Sequence, residues 1–92
     1  MYIIWTKVYH VNHTRGSFRI YISSHKSGDF YGAVLYYDKD GSFATTGNIN
    51  VRMRLQQFGG ASEENVYQQC INWINNNLEG TYSIEFEEQK NF

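Results

Sequence analysis

The sequence predicts an α+β domain: an antiparallel sheet of four to five strands with one amphipathic helix packed on a face, in the order strand, strand, strand, strand, helix, strand. Two observations carry this reading. Segments rich in β-branched and aromatic residues, several alternating with period two, fill most of residues 2–56 and recur at 81–87. Between them, one stretch after Ser62 repeats its apolar residues at helical spacing. With 92 residues there is room for one domain, taken as residues 1–92.

Residues 2–11 are β-branched and aromatic without a helical period, as in a central strand buried on both faces. Asn12 to Gly16 is a turn, because Asn and Gly tolerate positive φ. Phe18, Ile20 and Ile22 then alternate with Arg19, Tyr21 and Ser23, so the first set faces the core. Residues 24–29 read as a polar loop and 30–37 as a third strand. Gly32 interrupts that strand and leaves a gap where another group can approach the backbone.

Asp38-Lys39-Asp40-Gly41 has the composition of a tight hairpin turn. A turn centred there would set Gly32 opposite Gly47. From Phe43 onward the odd positions, among them Ile49, Val51, Met53 and Leu55, are the more apolar and are assigned to the core. A strand of that length should bend near Gly47-Asn48.

Phe58-Gly59-Gly60 breaks the pattern. Ser62 is then placed to cap a helix whose first turn carries Glu63 and Glu64. Val66, Tyr67, Cys70, Ile71, Trp73, Ile74 and Leu78 share one stripe, and Gly80 ends the helix. In the last strand Tyr82, Ile84 and Phe86 point inward, and residues 88–92 are expected to fray.

Composition narrows the function. The chain is 41% hydrophobic, 17% aromatic and only 18% charged, which excludes disorder. A net charge of -1 argues against gripping nucleic acid by bulk charge. The sign is uneven: Lys and Arg predominate in residues 1–60, whereas 61–92 hold six Glu against Lys90 alone. One cysteine forms no internal disulfide, no apolar run is long enough to cross a membrane, and no basic leader precedes the first strand. The expected location is therefore cytoplasmic. Asn12-His13-Thr14 matches a glycosylation sequon that such a location leaves unused.

Catalytic and metal motifs are weak. His10-x-x-His13 has usable metal spacing but lacks nearby Cys or Glu ligands, so His13 and His25 are expected to be solvated loop residues. Asp38 to Gly41 has two acids and a glycine, as calcium loops do, but position twelve of such a loop would be Ile49. Cys70 sits inside the apolar stripe and reads as an inert thiol. Gly59-Gly60 before a helix is the one phosphate-cradle candidate, and Glu63 and Glu64 oppose it. The reading is thus no enzyme, no metal and no cofactor.

The most informative surface is the even row Asn50, Arg52, Arg54 and Gln56, joined by Arg19 and Tyr21 if the sheet is a simple meander. Arg and Tyr are enriched where proteins dock. The expected function is a small protein-binding domain, an adaptor or inhibitor such as a phage- or mobile-element-encoded antagonist of a larger complex, docking through the open sheet face or a strand edge. The alternative is nucleic-acid binding, with those arginines on phosphates and Tyr21 or Tyr36 stacked on bases. A homodimer through paired strand edges is a third arrangement.

Overall fold

The computed structural model describes residues 2–38 and 52–92, with the backbone alone at 37, 38 and 52–54. The tight turn at residues 38–41 and the bend at 47–48 therefore fall wholly or largely outside the described residues. Five strands form one antiparallel sheet: β1 (Ile3–His13), β2 (Gly16–His25), β3 (Phe30–Asp38), β4 (Arg52–Gly60) and β5 (Tyr82–Asn91). The helix α1 (Glu63–Asn77) packs on one side, and the strand order is β4-β3-β2-β1-β5. The α+β class and the element order are as expected.

β1 lies between β2 and β5, which explains its apolar content. Val11 is fully buried on the helix side, while Val8, paired with Tyr21, is 3% exposed on the other. On the helix side Phe18, Ile20, Ile22 and Val34 meet Val66, Cys70 and Ile74 of α1 in the main core. Removing a side chain the size of Ile20 from water contributes about 1.5–3 kcal/mol. Helix start and stripe follow the sequence reading. The Asn65 N–H donates to Ser62 Oγ at 3.1 Å, and the helix closes at Asn77 with the Leu78 N–H donating to Ile74 O.

Glycines set how closely α1 approaches. A Cβ on Gly32 would collide with Val66 Cγ1, and one on Gly60 with Asn65 Oδ1. Gly32 is thus the gap the sequence suggested, and the helix fills it. The same contact rules out a phosphate cradle at Gly60. Among the described residues the backbone of α1 lies close to β2, β3 and β4 and stays away from β1 and β5.

Three expectations are corrected. Gly32 pairs with Phe58, not Gly47, because the β3–β4 ladder runs from Phe30 opposite Gly60 to Asp38 opposite Arg52. Phe58-Gly59-Gly60 is strand rather than a break, so β4 leads almost directly into the cap of α1. Residues 88–91 do not fray: β5 pairs with β1 as far as Asn91 opposite Trp5, and the Phe92 N–H donates to Ile4 O at 2.9 Å. An edge strand exposed to water needs only its backbone to hold this ladder, so polar side chains do not end it.

Candidate functional site

The side of the sheet facing away from α1 is built in rows by the ladder register. His10, Arg19, Leu35 and Leu55 form one row across β1 to β4; Val8, Tyr21, Ala33 and Gln57 form the next; Thr6, Ser23, Tyr31 and Gly59 form a third. Ala33 is the small member of its row, and the face sinks beside it. A hollow of about 320 Å³ is lined there by Tyr21, Ser23, His25, Tyr31, Ala33 and Gln57. The Tyr31 ring lies over the bare backbone of Gly59 and meets the His25 ring at 4.4 Å. Ser23 Oγ shares a 2.9 Å hydrogen bond with Thr6 Oγ1, which braces the floor. Tyr31 is 46% and Leu55 48% exposed, so the rim is both aromatic and aliphatic.

The charge on this face is paired within the sheet. β5 carries a bulge where Phe86 and Glu88 oppose Tyr9 and Val8, and Glu87 is the extra residue. Its carboxylate accepts from Arg19 Nε at 3.4 Å and stands 3.8 Å from His10 Nδ1. Arg19 thus faces an anion of its own chain, and a phosphate arriving there would compete with Glu87.

Of the six residues expected to form one docking row, Arg19 and Tyr21 lie on this face as expected. Gln56 does not, because it pairs with Val34 and is half-buried on the helix side. The backbones of Arg54 and Arg52 continue that register opposite Tyr36 and Asp38, in phase with Val34 rather than with Tyr21. Asn50 lies outside the described residues. The expected phase of β4 is therefore inverted. Its cause is Phe58, an even-numbered residue that packs on the core beside α1 and leaves Leu55 on the open face. Sequence reasoning missed Ser23, His25, Tyr31 and Gln57. Reading Phe58-Gly59-Gly60 as strand leading into the Ser62 cap would have recovered the phase.

The histidine expectation is also corrected. His10 and His13 are three apart on one strand, so they face opposite sides of the sheet and cannot share a metal. His13 is not a solvated loop residue but ends β1 at 7% exposure, with its ring stacked on Tyr82 at 5.8 Å. Burial lowers its pKa from the ordinary value and the Arg15 charge lowers it further, while a hydrogen bond with the Leu78 backbone acts the other way. His25 is half-buried against Tyr31. Among the described residues no three His, Cys, Asp or Glu side chains gather as metal ligands. Cys70 is fully buried, and burial pushes its thiol pKa up to about 12.

A second hollow of about 330 Å³ lies on the helix side, lined by Tyr9, Glu63, Glu64 and Tyr67. Lys7 Nζ donates to Glu63 Oε2 at 2.8 Å beside it, and that hydrogen bond raises the Lys7 pKa. Burial raises those of Tyr9 and Tyr67. No helix among the described residues is long and apolar enough to cross a membrane. Comparison of the chain with protein-family models, curated proteins and solved structures found no match.

Proposed function

We propose that this chain is a non-catalytic protein-binding domain, an adaptor or inhibitor, that seats a protein partner on the open face of its sheet. One observation carries the reading: a hollow of about 320 Å³ rimmed by Tyr21 and Tyr31, with exposed Leu55 in the neighbouring row and the Arg19 charge already answered by Glu87. Aromatic side chains around a concave floor offer large contact area at low conformational cost, and tyrosine is among the residues that dominate binding energy. The buried thiol of Cys70 is not placed to act as a nucleophile. Nucleic-acid binding is the alternative, since Tyr21 and Tyr31 present rings on which bases can stack. The Arg19–Glu87 pair and the glutamates of β5 weigh against it.

The test is capture of partners from the source lysate by the tagged protein, with and without nuclease, using wild type and Tyr31→Ala. A defined protein that survives nuclease and is weakened about tenfold or more by Tyr31→Ala supports the proposal. Nucleic acid in the bound fraction, with proteins lost after nuclease, overturns it in favour of the alternative. Sedimentation of the purified protein decides separately whether it acts as a homodimer.

A further inference from the structure

Among the described residues the backbone of α1 runs over β2 to β4 and not over β1 and β5, and β5 forms the edge of the sheet beside β1. There Tyr82, Ile84 and Phe86 register with His13, Val11 and Tyr9. Tyr82 and Ile84 are half-buried, but Phe86 is 55% exposed. Its ring continues an aromatic chain, with Phe86 at 5.5 Å from Tyr9 and Tyr9 at 5.2 Å from Tyr67. On the other side of the same strand, Glu85 and Glu88 lie opposite His10 and Val8. The edge strand is thus apolar on one side and net anionic on the other, where Glu85, Glu87 and Glu88 outnumber Lys90, which stands 3.9 Å from Glu88.

Its charge selects the occupant. Two copies of β5 paired antiparallel about Phe86 would set Glu85 of each against Glu87 of the other, which disfavours self-pairing in that register. A strand of opposite charge meets no such repulsion. Added strands alternate their side chains, so every second residue would lie beside Ile84 and Phe86 and the intervening ones beside Glu85 and Glu88. We propose that the outer edge of β5 accepts, as an added strand, an extended protein segment alternating apolar residues with arginine or lysine. This edge is separated by β1 from the hollow that Tyr21, Ser23 and Tyr31 line, so neither reading depends on the other.

The test uses a short fluorescein-labelled peptide alternating valine with arginine, and its counterpart with glutamate for arginine, titrated by anisotropy into the full chain at low salt. The arginine peptide binds and the glutamate peptide does not. Affinity falls about tenfold between low and physiological salt, and about fivefold or more with either Glu85→Lys or Phe86→Ser. Amide shifts in a heteronuclear NMR titration follow β5 and leave Tyr21 and Tyr31 unmoved. Failure of the arginine peptide to bind, equal binding of both peptides, indifference to Glu85→Lys, shifts centred on the hollow, or a dimer abolished by Phe86→Ser would each overturn the proposal.

Discussion

The helix side of this sheet has two halves that differ in how they are closed. Over β2 to β4 the helix backbone lies close, with Phe18, Ile20, Ile22 and Val34 buried beneath it, and glycines at 32 and 60 let Val66 and Asn65 press onto the strands. Over β1 and β5 the helix backbone stays away: Val11 is fully buried in the same core, but Tyr9, Tyr82 and Ile84 are only half-buried and Phe86 is exposed. That half is tied to α1 by side chains reaching sideways. Lys7 pairs with Glu63 at 2.8 Å, and the Tyr82 hydroxyl donates to Asn75 Oδ1 at 2.6 Å. The glycines of β3 and β4 therefore set where the helix settles, and the far half is held by its ladder, its ring contacts and these two side-chain ties.

The contrast is sharpest at Ile20. Ile20→Ala should lower the unfolding free energy by about 2–5 kcal/mol in urea titrations. Ile84→Ala, on the half-buried side, should cost clearly less, and equal losses would show that the two halves are closed alike. Gly32→Ala tests the close approach itself. The new methyl meets Val66, and a loss of about 1–3 kcal/mol is expected; an unchanged urea midpoint would mean that α1 can rise off β3 freely.

A smaller effect should come from His13, the buried titratable group at the margin of the uncovered half. Its folded pKa lies below the ordinary 6.5, so the unfolded chain takes up a proton first. Stability is then complete above about pH 6.5 and declines as the pH falls toward the lowered value. Urea midpoints measured across that range for wild type and His13→Asn should converge toward acid, and parallel pH profiles would show that His13 is not shielded. The smallest change belongs to Lys7. Lys7→Met removes a partly exposed ion pair and should cost at most about 1 kcal/mol, with the thermal midpoint barely moved.

The readable parts of the fold were those where burial imposes a period. α1 announced itself through Ser62 and the stripe from Val66 to Leu78, and β2 through Phe18, Ile20 and Ile22, because each has one wet face and one dry face. β4 has no such clean division. It is an edge strand that α1 reaches near Phe58 and Gly60, so Leu55 carries an apolar side chain in the phase opposite to the core. Arg19 and Tyr21 were placed on the open face because β2 is periodic. The hollow itself lies where Ala33 is small between Tyr21 and Gln57, and that appears only when three strands are set in register. His13 escaped because the group that shelters it, Tyr82, comes from the far end of the chain.

The pairing of β1 with β5 also bears on how the molecule is assembled. His13 meets Tyr82 and Trp5 meets Asn91, so β1 finds one of its two neighbours only after α1 has been made. β1 to β3 can form a meander by local turns, and α1 can then dock on β2 and β3 and draw β4 in. Throughout that interval one rim of β1 has no neighbour. Closing loops this long is entropically slow, and the waiting rim is the surface on which a nascent chain would go astray.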